Sequence, residues 1–382
     1  MHRITGRYVR QQGGLEPFSA FIPEPLPPHP SLSYDALQPL LTEAALELGR
    51  LDALSRLIPD AALFLYGYVR REAVLSSQIE GTQSSLNDLL RYENDAAPRV
   101  PEDDVVEVSN YIAAMTHGLD RLRDGFPLSL RLIREMHGVL MRGARGAHAD
   151  AGEFRRTQNW IGGHRPGTAR FVPPPAHEVP PAMSALEQFL HAPSETMSPI
   201  VTAGLAHVQF ETIHPFLDGN GRLGRLLITC VLCAQGVLTQ PLLYLSLFFK
   251  NNRATYDDLL GRVREDGDWE RWLQFYLEGV RDVSRGACEK AQQILELFAR
   301  DKQRVATLPR KSKVAGVVYT LLKEHGMVSA TVAAQRLSMT FPTATAALGE
   351  LETLGIVREI TGRRRDRVYA YQAYLDVLNA EG

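Results

Sequence analysis

The sequence predicts a mainly α-helical protein with one β-hairpin set into its helical core and a winged helix-turn-helix at its C-terminal end. Three observations predict it. Apolar residues recur at helical spacing through most of the chain. One Gly/Pro-rich stretch, residues 151–175, breaks that pattern with short β-type runs on either side of a turn. The last seventy or so residues read as three short helices followed by two alternating strands. At 382 residues the chain exceeds one typical core, so two or three domains are expected.

Residues 1–100 form an N-terminal arm and helical region. Prolines in "FIPEPLPPHPSLS" predict an extended arm over 21–33, and helical spacing then runs from Asp35 to about Tyr92. The core spans 101–285. It includes a helix from Ser129 to about Met141. The hairpin follows, with Trp160-Ile161 and Arg170-Phe171-Val172 flanking its turn. Helices resume with "AMSALEQFLH" and "PIVTAGLAHVQFETI". "LGRLLITCVLCAQG" is apolar nearly all round, which predicts a central buried helix. "ATYDDLLGRVRED" and "WERWLQFYLEGVRDV" come next, then a long helix from "ACEKAQQ" that enters a connecting segment, 286–313, ending in the linker "ATLPRKSK". Residues 314–382 make the last module. "VAGVVYTLLKEHG" is its first helix, and "SATVAAQRL" its second with Ser329 as cap. "PTATAALGELETLG" is its third, with Pro342 at the start and Gly355 at the end. "IVREITGRRRDRVYAY" turns at Thr361-Gly362 as a wing.

Composition narrows the function classes. A net charge of −2 gives no global attraction to nucleic acid or anionic membrane, so such a partner would need a local patch. Cys230, Cys233 and Cys288 are too few for a disulfide framework and suit a reducing compartment. The Cys230-x-x-Cys233 pair lies in an apolar run and reads as buried core thiols. No signal peptide and no apolar run of about 18 residues is visible, so a soluble, cytoplasmic protein with no membrane partner is expected.

"HPFLDGNGRLGR", residues 214–225, concentrates the chemistry. Gly219-Asn220-Gly221 sits where a loop becomes a helix. Glycine there frees the backbone for positive φ, and helix-start amides favour phosphate. Arg222 and Arg225 lie one turn apart and can face one polyanion. Asp218 can hold a divalent cation together with phosphate oxygens. His214, set at the helix end by Pro215, can take a proton from an attacking hydroxyl near pH 7. Together they suit phosphoryl or nucleotidyl transfer. A calcium loop fails on its ligands, with Arg222 fifth and Thr229 twelfth. His207, Glu211 and His214 share a helical face, but no second Glu-x-x-His segment would complete a transition-metal site. No Walker sequence is present.

These residues resemble the Fic-family signature, His-x-Phe-x-Asp/Glu-Gly-Asn-Gly-Arg-x-x-Arg, at every defined position. The resemblance implies a helical core that transfers AMP from ATP to a Ser, Thr or Tyr hydroxyl of a target protein, or of the chain itself, and releases pyrophosphate. It implies His214 as general base and Asp218 as the Mg²⁺ ligand. Gly219, Asn220 and Gly221 would hold the α- and β-phosphates with Arg222, and Arg225 would meet the γ-phosphate. Leu223 and Gly224 belong to the same nucleotide-binding run, and His214 also touches the nucleotide. Residues 151–175 resemble the family's flap, which pins the target by strand addition. "KNNRATYDDLL" resembles the segment closing on the nucleotide, with Asn251 and then Tyr256 as candidate contacts.

"SSQIEG" alone reads as a helix end, with Glu80 solvated and Gly81 terminating it. Beside the signature, Ser76-x-x-x-Glu80-Gly81 resembles the inhibitory motif of the subclass that carries its brake N-terminal to the core. Glu80 would then reach the nucleotide site and pair with Arg225. Some relatives suggest another use for Glu80, positioning water to remove AMP. Transfer of UMP, phosphate or phosphocholine is the alternative among enzymes, and an ATP-sensing DNA-binding regulator the alternative outside them. For DNA, Thr343 and Thr345 offer little, whereas Arg358, Arg363, Arg364, Arg365 and Arg367 on the wing could contact phosphates. Protein contact or dimer packing is the other use of that module. A homodimer is a family expectation.

Overall fold

The computed structural model describes residues 3–12, 16–57, 61–94, 100–143, 150–192, 197–309, 313–362 and 367–380. Contacts gather the chain into two compact units, Met1–Asp52 with Asn110–Ser284, and Ala53–Ser109 with Arg285–Gly382. Helices α1 (Gln38–Leu57), α4 (Glu102–Arg123) and α11 (Trp269–Ala306) each contribute residues to both.

The first unit opens with a hairpin absent from the sequence reading. β1 (Gly6–Gln11) and β2 (Phe18–Pro23) pair antiparallel from Gly6 opposite Pro23 to Gln11 opposite Phe18. The extended arm predicted over 21–33 therefore begins inside a strand. Phe21 N donates to Val172 O at 2.9 Å, and its ring lies 6.1 Å from that of Phe171, so the strand lies against the 151–175 segment. Between these pieces stand α5 (Leu130–Leu140), α6 (Val179–His191), α7 (Pro199–Ile213), α8 (Asn220–Ala234), α9 (Ser246–Asn251) and α10 (Arg253–Asp266). Ser129 caps α5, accepting from Leu132 N at 3.4 Å, and Ser198 caps α7 with Pro199 behind it.

The core of this unit is the packing of α7 on α8. As the apolar run predicts, α8 is buried continuously from Arg222 to Leu232, and α7 is likewise buried all round. Trp272, fully buried, donates its indole N–H to Gly204 O at 2.9 Å, and Gly204 leaves room for the Tyr276 ring. Each large apolar side chain so buried contributes about 1.5–3 kcal/mol. The two helices expected around 269–306 are one 38-residue helix. Gly279 lies inside it, at a point where a side chain would collide with the Phe248 ring. Cys230, Cys233 and Cys288 form no disulfide, and burial pushes the Cys233 thiol up to about 12.

In the second unit, α2 (Ala61–Ile79) and α3 (Leu86–Tyr92) join α12 (Lys313–His325), α13 (Ala330–Arg336), α14 (Phe341–Thr353) and α15 (Gln372–Asn379). The helical run expected as far as Tyr92 is thus interrupted after Ile79, where Gly81 takes φ 105° and Ser85 starts α3 with a capping box. Strands β3 (Met327–Ser329), β4 (Arg358–Glu359) and β5 (Val368–Ala370) form an antiparallel sheet in the order β3-β5-β4. Ser329 caps α13, accepting from Val332 N at 3.1 Å, and Gly355 follows α14 with φ 66°. Helix α2 packs on α12 and α15, and Arg71 of α2 donates to Ala380 O at 2.9 Å. Linker residues 310–312 and the wing residues Arg363, Arg364 and Arg365 lie outside the described residues. No helix among the described residues is long and apolar enough to cross a membrane.

Candidate active site

Helix α7 ends because Pro215 has no N–H to continue it. His214 becomes its cap, with φ 48° and ψ 60°, a left-handed conformation uncommon for a residue with a side chain. Its N–H still bonds Phe210 O at 2.9 Å, and its side chain is half-buried. The loop then dives inward. Phe216 is fully buried among His137, Phe154 and Phe210. Asn220 closes the loop, because its Oδ1 accepts from Phe216 N at 2.9 Å and its Nδ2 donates to Phe216 O at 2.8 Å. The side chain of Asn220 therefore shapes the loop, while its main chain begins α8.

Gly219 precedes α8 with φ 75°, and a side chain there would press on Met141 and Leu140. The first turn of α8 presents the main-chain amides of Asn220, Gly221 and Arg222 before the helical ladder begins, with Leu223 N donating to Gly219 O at 3.0 Å. Asp218 stands beside it. Its Oδ1 accepts from Gly219 N at 2.6 Å, lies 3.9 Å from Arg222 Nη2, and its side chain is 58% exposed. Arg222 and Arg225 are buried on α8, at 3% and 5% exposure. Base candidate, carboxylate, helix start and two guanidiniums thus lie along twelve consecutive residues within one unit.

Three residues outside the motif hold this loop, and sequence reading missed them. His137 of α5 accepts at Nδ1 from Gly152 N at 2.9 Å, which leaves its Nε2–H to donate to Asp218 O at 3.0 Å. Burial holds it neutral by lowering its pKa to about 4. Arg155 and Asn159, at the base of the 151–175 segment, both donate to His214 O, at 2.9 and 3.3 Å. The predicted hairpin is present as a single antiparallel bridge, Ile161 opposite Phe171, closed by a 3-10 turn at Pro166–Thr168.

Other candidates are placed differently. His207 is fully buried, its Nδ1–H donating to Gly224 O at 2.9 Å and its Nε2 accepting from Tyr256 Oη at 2.8 Å. Both ring nitrogens and the Tyr256 hydroxyl are therefore engaged in the core. Asn251 is exposed at the end of α9. Among the described residues no group of three or more His, Cys, Asp or Glu side chains could by itself hold a metal ion. One exposed carboxylate beside a phosphate-type helix start still fits Mg²⁺, which takes one or two protein carboxylates and completes its shell with substrate oxygens and water.

The family model described as "Fic/DOC family" matches residues 127–232, and that described as "Fic/DOC family N-terminal" matches residues 38–120. Residues 38–120 and 127–232 thus belong to the Fic/DOC family. Curated relatives include protein adenylyltransferases Fic of Drosophila grimshawi, 33% identical over 152 residues, and of Culex quinquefasciatus, 37% identical over 152 residues. Each alignment covers 39% of this chain, and this chain spans only 28% and 27% of those relatives' length. Among solved structures, a Fic family protein from Desulfovibrio desulfuricans superposes with a TM-score of 0.58 at 21% identity, covering 89% of this chain and 97% of that one. A Fic-domain signaling protein from Bacteroides thetaiotaomicron gives 0.51 at 19%, covering 66% and 98%. Those likenesses show the fold.

The Fic/DOC match over residues 127–232 ends within α8, so it contains the entire HPFLDGNGRLGR loop. The N-terminal Fic match contains α2 and its end. There Ser76 is fully buried, Glu80 is exposed one residue beyond the helix, and Gly81 turns the chain.

Proposed function

We propose that this Fic chain is a Mg²⁺-dependent protein adenylyltransferase. The observation that carries the reading is the loop around Asp218, in which a half-buried imidazole, an exposed carboxylate, a helix start and two buried arginines follow one another within a turn or two. In the step, a target hydroxyl oxygen forms a bond to the α-phosphorus of ATP while the α-phosphorus–oxygen bond to the β-phosphate breaks. Pyrophosphate leaves, and the hydroxyl proton passes to His214. Amides of Gly219, Asn220 and Gly221, with Arg222, would hold the α- and β-phosphates, and Arg225 the γ-phosphate. Leu223 and Gly224 continue that run, and Asn251 would close on the nucleotide. Mg²⁺ at Asp218 supplies positive charge that neutralises the phosphates.

The 151–175 segment would align the target strand. Glu80, through the Ser76-x-x-x-Glu80-Gly81 motif, would restrain the enzyme by pairing with Arg225 and denying it to the γ-phosphate. Three cysteines, none in a disulfide, suit a reducing, cytoplasmic setting. The C-terminal helices and three-stranded sheet fit a winged helix, and exposed Arg358 and Arg367 favour phosphate contact there. Salt-sensitive retention of duplex DNA by the full chain would support that use, and no retention at low salt would remove it.

The deciding experiment is mass spectrometry of the Glu80→Gly variant with ATP, Mg²⁺ and lysate, the chain itself included among the targets. Addition of AMP that His214→Ala abolishes, with ATP binding kept, supports the reading. No AMP on any protein overturns it, and a different added mass assigns another transferred group.

A further inference from the structure

Arg155 is a buried cation without a carboxylate. It is 2% exposed, and none of the ion pairs among the described residues includes it. The acceptors of its guanidinium are main-chain oxygens. Nε donates to His214 O at 2.9 Å, Nη1 to Thr157 O at 3.1 Å, and Nη2 to Pro174 O at 2.6 Å, with Ile213 O further off at 3.5 Å. Its own N–H donates to Pro215 O at 2.9 Å. Burial alone lowers its pKa, to about 10. A buried charge is costly unless its hydrogen bonds are made, so this one is retained only where several oxygens converge on it.

Those oxygens belong to three separate stretches. Ile213 and His214 end α7, while Thr157 lies in the first stem of the flap and Pro174 in the second. Asn159, 9% exposed, adds a second donor to His214 O at 3.3 Å and reaches Phe216 O at 2.9 Å. The shared acceptor matters because His214 sits in a left-handed conformation, which is costly unless its surroundings hold it. Only a planar fork with five N–H donors can reach carbonyls lying in several directions at once, and a lysine ammonium cannot reproduce it.

We propose that Arg155 is a positioning residue that holds the His214 main chain in its left-handed turn and fastens both flap stems to it, so that base and target strand move as one body. This rests on the adenylyl-transfer reading above. Arg155 would not touch the nucleotide, so its loss acts on the rate of transfer rather than on ATP binding.

The test compares Arg155→Lys and Asn159→Ala in the Glu80→Gly chain, at a temperature where circular dichroism shows each fully folded, by self-labelling with α-labelled ATP. The expected result for Arg155→Lys is a kcat lower by about 100-fold with KM for ATP unchanged, the size of loss that a misplacement of about 1 Å produces. Asn159→Ala should lose about ten-fold by the same route, and the double variant should lose less than the product of the two, because both act on one acceptor. If Arg155→Lys does not fold, Asn159→Ala decides alone. Unchanged kcat in the folded variants, or a rise in KM with kcat kept, overturns the role of Arg155 and leaves adenylyl transfer standing. Absence of AMP transfer in the Glu80→Gly parent overturns the transfer reading and this inference with it.

Discussion

The imidazole of His137 lies flat on the ring of Phe216, centroids 3.7 Å apart and planes 8° from parallel. The stack places both ring nitrogens in the plane of two main-chain partners, Gly152 N and Asp218 O. His137→Phe keeps the stack and removes both bonds. Two part-buried main-chain groups then lose their partners, each at the low end of about 1–3 kcal/mol. Urea unfolding should show a lower midpoint with an unchanged slope. An unchanged midpoint would mean that the two bonds are of no consequence to the fold.

Three histidines make stability fall on acidification well before the carboxylates titrate. Burial holds His137 and His325 near 4 and His207 near 3, against an ordinary 6.5. The unfolded chain therefore takes up protons first as pH drops through 6.5, while the folded chain resists until 4 or 3. The stabilisation is complete above 6.5 and is lost as pH falls from there. Each histidine contributes a slope of up to about 1.4 kcal/mol per pH unit. Unfolding free energies at pH 7, 6 and 5 should decline in order, and His207→Phe should flatten the decline. Equal stability at pH 7 and 5 would refute it.

Much of this site was readable because local chemistry dictates it. Pro215 stops a helix wherever it stands, Gly219 and Gly81 take positive φ, and Ser129 and Ser329 cap α5 and α13. The wholly apolar run after the motif could only be buried, and α8 is. The supports were not readable, because their meaning is tertiary. His137 falls on an ordinary amphipathic face of α5, and nothing in "GEFRRTQN" separates buried Arg155 from exposed Arg156. The β1–β2 hairpin left a signal that went unused, Gly13-Gly14 between two runs of six with strand character. The single helix over 269–306 was divided at "SRG", 284–286, because a glycine there weakens helix propensity, whereas the helical ladder runs straight through it.

Gly219 and Gly224 should fail as alanine for different reasons. At Gly219 the φ of 75° costs a side chain about 1–2 kcal/mol, and Met141 Sδ stands 3.0 Å from the added carbon. Gly224 is in regular helix, so the cost there is space, since the carbon would collide with Glu211 and lie 3.2 Å from Phe210 Cδ1. Overpacking of that kind costs about 1–3 kcal/mol. Shortening Glu211 to alanine should recover part of the loss for Gly224→Ala and none for Gly219→Ala. Calorimetric Tm values of the four variants check this, and recovery in both would put the two glycines under one cause.

In the second unit, Gly67 of α2 faces α15. A side chain added there would meet Leu378 and stand 2.7 Å from Tyr374 Oη. Tyr374 and Leu378 are each 1% exposed, so neither has space to retreat into. Gly67→Ala gains about 1 kcal/mol in helix propensity on an open surface. Here it should instead lose about 1–3 kcal/mol to overpacking. Leu378→Ala alone opens a cavity worth about 2–5 kcal/mol. The pair fills with one methyl part of what the other change empties, so the double variant should be more stable than the sum of the two losses allows. Chemical unfolding of the three variants against the parent measures that coupling. Additive losses would mean that α2 and α15 do not share this contact, and a stabilised Gly67→Ala would mean that α2 stands clear of α15 altogether.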